Sequence, residues 1–213
     1  MNNEFSYDNS SGQRETISIP STLLISAMGQ VEDVRQCVSM DLKAAGNVIF
    51  IVGETGNHFG GSHFNLVNDL QAGAVPTVDA NTNRQLYLAL HEAIKQGLVR
   101  SCHDCSEGGI AVAAAEMAFA GGLGMELDIS AICEDSNLSA AQVVFSESNG
   151  RLICEVSEDN VAEFSNALVD FRTYQLGRVI AGSDFVVQNS DQPVIQTSIS
   201  TLKQAWQQPL DWS

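Results

Sequence analysis

Residues 101–122 read SCHDCSEGGIAVAAAEMAFAGG. The first four close a short extended piece that begins at Leu98, the next five form a polar, glycine-containing turn, and the remainder is apolar on nearly every side apart from Glu116. A helix of that composition has no solvent face and must be buried. A strand that feeds a buried helix through a tight turn calls for a sheet for the helix to lie on.

Working outward, NVIFIVGE (47–54) is a continuous β-branched and aromatic run flanked by Gly46 and Gly53, the pattern of a strand covered on both faces, so it is expected at the centre of the sheet. TGNHFGGSHFNLV (55–67) is polar and glycine-rich, then apolar, as a loop leading into a helix would be. In NTNRQLYLALHEAIKQGLV (81–99), Leu86, Ala89, Leu90, Ala93 and Ile94 recur at helical spacing until Gly97. Downstream, GMELDIS (124–130) and GRLICEVS (150–157) alternate as strands, with Ile153 and Glu155 opposite Leu152, Cys154 and Val156. A short helix and a polar loop are expected between them. Ser157 reads as an N-cap for EDNVAEFSNALVDF (158–171), with Glu158 and Asp159 complementing the helix N-terminus. Three β-like pieces (174–182, 183–190, 193–199) and a short helix ended by Pro209 complete the chain.

Upstream, STLLISAMGQV (21–31) suits a buried edge strand, and VEDVRQCV (31–38) one short helical turn. Residues 1–16 show no period and read as a flexible tail or the remnant of a preceding domain. The expectation is a tail over 1–20 and one domain over 21–213, of the α/β (α+β) class, with a layered mixed sheet flanked by helices.

The 213 residues carry 10 Lys+Arg against 26 Asp+Glu, a net charge of −16. An acidic chain without a Lys/Arg run lacks the electrostatic footprint for nucleic acid or an anionic membrane. No apolar run approaches the roughly 20 residues that span a bilayer, and the start lacks a secretory leader's anatomy, so a cytoplasmic protein is expected. Five cysteines, an odd number spread through a chain of this size, point to free thiols rather than a disulfide framework.

The chemistry concentrates in two loops. Ser106, Gly108 and Gly109 at a helix start would let backbone N–H groups approach an anion such as phosphate, with His103 and Asp104 at the strand tip in reach. The alternative is that Ser106 only caps the helix and the glycines serve packing. Glu107 repels an anion, which a bridging cation would offset; Glu54 and Glu107 are the candidate metal ligands. Cys102 and Cys105 form a C-x-x-C, but no second pair completes a four-ligand zinc site. Gly60, Gly61 and Ser62, between a strand and a helix, would form a second lip of the same cleft, or an ordinary helix start. No Walker or Rossmann pattern is present. Ser146-Glu147-Ser148 reads as a polar loop near the cleft or, more simply, a solvated turn.

Taken together, GETGNHFGGSHF, SCHDCSEGGIAVAAAEMAFAGGLGMELDIS and VVFSESNGRLICEV resemble, in order, the motifs of the aminoimidazole ribonucleotide synthase superfamily C-terminal domain, and within it most nearly the phosphoribosylformylglycinamidine synthase family. The resemblance runs from about Ser21 to the C-terminal helix. It implies a fragment of an ATP- and glutamine-dependent ligase of purine biosynthesis, in which ATP activates the amide oxygen of formylglycinamide ribonucleotide and ammonia displaces it. It also implies that the half-domains which pair to hold ATP and Mg²⁺ lie outside this chain, leaving it inactive alone and without a certain cofactor of its own.

By the same resemblance Gly60, Gly61, Ser62, His103, Asp104, Ser106, Gly108 and Gly109 line the substrate or phosphate cleft. Two positions depart from the family pattern: Glu107 stands where Asp is usual, and His63 follows the GGS where an acid or small apolar residue is common. The motif version resembles the second of the two module copies in the long synthase, a resemblance that implies, as the alternative to a catalytic site, one that holds a structural ligand or shapes the scaffold. Expected partners are the remaining synthase domains, a small nucleotide or phosphate ligand, and a second copy of the chain. Alternatives are a structural or interaction module with a vestigial phosphate site, or a domain of aminoimidazole ribonucleotide synthase, selenophosphate synthetase, thiamine monophosphate kinase or a hydrogenase maturation factor.

Overall fold

The computed structural model describes residues 4–18, 24–71 and 73–210. The chain divides into two compact units, Met1–Val34 and Arg35–Ser213.

In the first unit, β1 (Glu4–Asp8) and β2 (Arg14–Ser18) form an antiparallel hairpin where the sequence suggested an unstructured tail. Asn9 closes its turn: its Oδ1 accepts from the amides of Ser11 and Gln13, both at 3.0 Å. Across the ladder, the Tyr7 hydroxyl donates to Glu15 at 2.6 Å. These polar contacts, rather than apolar alternation, set the register, which is why the hydrophobic pattern gave no signal. Of the strand expected over 21–31, residues 21–23 lie outside the described residues, and 24–31 form no regular structure. Leu24, Ile25, Met28 and Val31 are exposed. An apolar run becomes a strand only where a neighbour accepts its backbone hydrogen bonds. The short turn foreseen in 31–38 is a 3₁₀ turn at Val34–Gln36.

The second unit is a seven-stranded mixed sheet with helices on both faces. Its strands are β3 (Val48–Val52), β4 (Val99–Asp104), β5 (Gly124–Asp128), β6 (Leu152–Val156), β7 (Thr173–Ile180), β8 (Asp184–Asn189) and β9 (Gln192–Ser198). They lie in the order β4-β6-β3-β7-β5-β8-β9. Every neighbouring pair is antiparallel except β5 and β8. The helices are α1 (His63–Val67), α2 (Ala80–Lys95), α3 (Gly109–Gly121), α4 (Ser130–Ser136), α5 (Ala140–Phe145), α6 (Val161–Ala167) and α7 (Ile199–Gln207). No helix among the described residues is long and apolar enough to cross a membrane.

β3 is buried along its whole length and sorts its side chains between two cores, as its sequence predicted. Ile49 and Ile51 join Ile110, Ala114 and Met117 of α3. Val48, Phe50 and Val52 face the other way, onto Leu86 and Leu90 of α2 and Phe164 of α6. The Phe50 and Phe164 rings stand 5.0 Å apart. For α2, the Asp79 cap accepts from the amides of Asn81 and Thr82. Such a cap contributes about 1 kcal/mol, whereas each buried leucine contributes about 1.5–3 kcal/mol, so packing decides this helix. Ser157 does not cap α6: its side chain makes no capping bond, and the chain enters α6 through a 3₁₀ turn at Glu158–Asn160.

Two features anchor the sheet's margins. Glu155 of β6 is fully buried and accepts from the amides of Lys43 and Ala44, Asn47 Nδ2 and Ser101 Oγ, tying the lead-in segment to β4. At the opposite edge, β9 pairs Pro193 with Gln188 and carries a register shift beside that pair.

Candidate functional site

The site forms where three chain segments meet. The first is the turn between β4 and α3. Cys105 donates its amide to Arg151 O at 2.9 Å, and Gly109 donates to Ser106 O at 3.1 Å. Ser106 Oγ donates to Asp104 Oδ2. That hydroxyl is the main reason the Asp104 carboxyl lies below the usual carboxylate range, with partial burial working against it. Gly108 and Gly109 both have φ in the left-handed region, +76° and +66°. A Cβ on Gly109 would come within 2.4 Å of Ser146 O, so glycine is needed for close approach as well as for backbone shape.

The second segment is the Gly60-Gly61-Ser62 loop. Ser62 caps α1 by accepting from the Asn65 amide at 3.2 Å. Gly60 donates to Ala74 O at 2.9 Å.

The third segment, 146–151, fastens the other two. Ser146 and Ser148 are buried. Ser148 Oγ accepts from the Gly56 amide at 2.9 Å and lies 2.8 Å from His58 Nδ1, while Ser146 Oγ donates to Gly56 O at 2.6 Å. Between them, Glu147 Oε1 accepts from the Gly108 amide at 2.9 Å and from the His63 amide at 2.8 Å. One carboxylate thus joins the start of α3 to the start of α1. Arg151, 1% exposed, donates through Nε to Ser148 O at 3.1 Å, through Nη1 to Thr55 Oγ1 at 3.2 Å, and through Nη2 to Ser146 O. Burial pulls its pKa below the ordinary arginine value, against the opposing pull of Cys105 and Glu147.

Between the lips lies a cleft of about 1020 Å³. Asp104, Glu107 and Glu147 on its wall face Arg84 and Arg151, and Val75, Tyr87 and Leu88 supply an apolar side. A family model described as "AIR synthase related protein, C-terminal domain" matches residues 44–189, a span that contains all three segments. The chain belongs to that family.

Among curated relatives of this AIR synthase related domain, the phosphoribosylformylglycinamidine synthase subunit PurL of Thermococcus sibiricus is 31% identical over 185 residues, 87% of this chain and 25% of the relative. The chain therefore spans about a quarter of the length of the curated relatives it matches. Thermotoga maritima PurL complexed with FGAR superposes with a TM-score of 0.71 at 21% identity, covering 79% of this chain and 30% of that one. The same protein complexed with ADP gives 0.68 at 19% identity, covering 79% and 27%. These likenesses establish the fold, a mixed sheet flanked by helices as expected from the sequence.

The positions singled out in the sequence take different places in this AIR synthase related domain. Gly60, Gly61, Asp104, Ser106 and Glu107 line the cleft. Ser62 is buried as the α1 cap and borders an adjoining smaller hollow. Gly108 and Gly109 shape the turn, and their amides already bond Glu147 and Ser106. His103 points elsewhere: its Nε2 lies 2.8 Å from Glu116 Oε2, and Glu116 Oε1 accepts from Trp206 Nε1 at 3.1 Å. Glu54 opens onto a separate cleft with Asp79 and Arg172, so it does not meet Glu107.

Among the described residues no three His, Cys, Asp or Glu side chains converge as a metal site. The C-x-x-C is not a ligand pair either. Cys102 Sγ lies 3.8 Å from Cys154 Sγ, and burial pushes the Cys105 thiol up to about 12. Sequence reasoning gave least weight to the residues that organise the site, since Ser146-Glu147-Ser148 reads most simply as a solvated turn. The usable signal was Arg151 following Gly150 at the head of an apolar strand, where a cation can be buried only if local oxygens receive it.

Proposed function

We propose that this chain is the C-terminal domain of the second synthase-type half of a phosphoribosylformylglycinamidine synthase, and that it shapes one wall of a ligand cleft without catalysing a reaction alone. The observation that carries this reading is the Glu147 bridge, which unites the three family motifs into one cleft wall. The parent reaction joins formylglycinamide ribonucleotide, ATP and glutamine-derived nitrogen. Thermotoga maritima PurL complexed with FGAR and with ADP supports a cleft for phosphorylated ligands in that protein.

In this chain the groups left to meet such a ligand are few. The Gly108 amide is engaged by Glu147, and Ser106 is oriented by Asp104. Gly61, on whose side-chain position nothing closes within 4 Å, and Arg84 face the cleft. A phosphate that used the start of α3 would have to displace Glu147, so its apparent affinity would be reduced by the fraction of molecules in which Glu147 is bound there. Among the described residues the acidic side chains do not assemble a Mg²⁺ site. The site residues proposed are Gly60, Gly61, Asp104 and Ser106 as ligand contacts, with Ser62, Gly108 and Gly109 as loop-shaping positions and His103 acting through Asp104, 3.3 Å away.

The test replaces the matching quarter of Thermococcus sibiricus PurL with this chain and assays ATP-dependent formation of formylglycinamidine ribonucleotide. The chimaera is expected to turn over, to lose at least tenfold on Asp104→Asn, and the 213-residue chain alone to be silent. A folded but inactive chimaera, or turnover by the isolated chain, would overturn the reading.

A further inference from the structure

A chain of hydrogen bonds runs from α7 to the wall of the cleft. Trp206 Nε1 donates to Glu116 Oε1 at 3.1 Å, and Glu116 Oε2 lies 2.8 Å from His103 Nε2. His103 Nδ1 lies 3.3 Å from Asp104 Oδ1, and Ser106 Oγ donates to Asp104 Oδ2. The Trp206 ring also packs on Phe119, one turn along α3 from Glu116, with ring centroids 5.7 Å apart. Three elements, α7, α3 and the end of β4, are thereby tied to one serine of the cleft.

The direction of each bond follows from the donors available. An indole N–H only donates and a carboxylate only accepts. Glu116, as a carboxylate holding the indole on Oε1, therefore requires His103 to donate from Nε2, and this fixes the ring with Nδ1 toward Asp104. The Asp104 carboxyl lies below the usual carboxylate range, so at neutral pH it is ionised and accepts the Ser106 proton. The one hydroxyl hydrogen of Ser106 is thus used within the protein. Among the described residues no group donates to Ser106 Oγ, and Ser106 lines the cleft.

The surroundings of Ser106 act in the same sense. Asp104, Glu107 and Glu147 line the cleft with it, and the Gly108 amide, a donor suited to a phosphoryl oxygen, is held by Glu147 at 2.9 Å. An unprotonated phosphoryl oxygen has no hydrogen to give. To bond Ser106 it would have to draw the hydroxyl off Asp104, breaking a charge-assisted bond, and then stand beside the carboxylates. A ligand hydroxyl or N–H does neither, because it donates to the lone pairs that Ser106 already presents.

We propose that Ser106 is a specificity-determining residue, held by the Trp206–Glu116–His103–Asp104 chain as an acceptor for a ligand hydroxyl or N–H, and not as a donor to a phosphoryl oxygen. The proposal rests on the reading of the cleft as a ligand site and states which part of a ligand meets this wall. Glu116 and Trp206 are positioning residues, acting on Ser106 through His103 and Asp104. A site built to receive a donor rejects an analogue that lacks one, since the acceptor is then left unpaired.

The test titrates the 213-residue chain at neutral pH with two probes, followed by amide NMR: ribose 5-phosphate, which carries hydroxyls, and sulfate, an oxyanion with no hydrogen to give. Saturable shifts at Ser106 and Glu107 are expected with ribose 5-phosphate and not with sulfate. Ser106→Ala is expected to weaken ribose 5-phosphate at least fivefold and to leave any sulfate binding unchanged. Trp206→Phe keeps a ring against Phe119 and the net charge, so its effect at Ser106 passes through Glu116 and His103. It is expected to move the Asp104 carboxyl and Ser106 amide resonances of the free chain with the circular dichroism spectrum unchanged. Three results would overturn the proposal while leaving the cleft a ligand site: sulfate shifting Ser106 in a way that Ser106→Ala removes, ribose 5-phosphate binding Ser106→Ala as well as the unaltered chain, or Trp206→Phe moving neither resonance. Neither probe shifting any cleft residue would overturn the cleft reading and the proposal with it.

Discussion

Glu147 Oε1 stands 2.9 Å from the amide nitrogen of Gly108 and occupies the position at the head of α3 where an anion would bind. The same oxygen holds the His63 amide at the head of α1. Glu147→Ala removes the acceptor of two charge-assisted bonds at once. It is expected to destabilise the domain by about 2–3 kcal/mol, read as a lower urea midpoint at unchanged slope. Glu147→Gln keeps an acceptor and is expected to cost about half as much.

Arg151 offers a sharper test of geometry against charge. Its three nitrogens serve oxygens of Thr55, Ser146 and Ser148 from a buried position. Lysine keeps the charge but cannot span that fork. Arg151→Lys is therefore expected to lose about 3 kcal/mol, a fall of about 6–12 °C in Tm by differential scanning calorimetry.

Two glycines of similar backbone shape should respond differently to one added methyl group. Gly109 has φ +66°, and a Cβ there would meet Ser146 O at 2.4 Å; Gly61 has φ +78° with nothing within 4 Å. Gly61→Ala bears only the left-handed penalty of about 1–2 kcal/mol. Gly109→Ala adds a clash with backbone and should exceed that by at least about 2 kcal/mol in paired denaturation curves.

The Asp104 carboxyl titrates low chiefly because Ser106 donates to it. A depressed folded pKa stabilises the fold above the unfolded value of 3.8 and loses that contribution as pH falls through the lower folded value. Ser106→Ala should raise the Asp104 pKa toward 3.8 in a carboxyl NMR titration, and acid unfolding should then begin at a higher pH. An unmoved titration would show that the hydroxyl does not set it.

Thiol chemistry separates the five cysteines. Cys37 is exposed, whereas burial raises Cys105 to about 12, and Cys154, hydrogen-bonded with Cys102, also lies well above the usual thiol value. One thiol per chain should react quickly with an aromatic disulfide reagent at pH 8, and Cys105 and Cys154 only on unfolding. Cys37→Ser should abolish the fast phase.

The second unit was largely legible because its elements announce themselves locally. β3 is an unbroken apolar run, and α3 has no polar face except Glu116, so each could only be interior. The hairpin of β1 and β2 was illegible for the opposite reason, since Asn9, Tyr7 and Glu15 specify it through polar contacts that carry no period. At the site, the two glycine loops were found from composition, but His103 was misplaced in expectation. Strand alternation fixes which face a residue takes, and His103 shares the face of α3, where Glu116 receives it. Glu147 escaped because its partners are backbone amides 84 and 39 residues away, which no spacing in the sequence encodes. Arg151 escaped because its fork is received by the carbonyls of Ser146 and Ser148 and by Thr55 Oγ1 rather than by an acid.

The outer margin of the sheet has a consequence for the molecule among its copies. At β9, Pro193 contributes no N–H, and the register shift beside the Gln188 pairing adds a bulge next to it. A strand laid along that margin would meet a missing donor within the first few residues and a ladder already out of step. Such an edge discourages strand-by-strand growth between neighbouring chains, so the sheet closes its own count at seven.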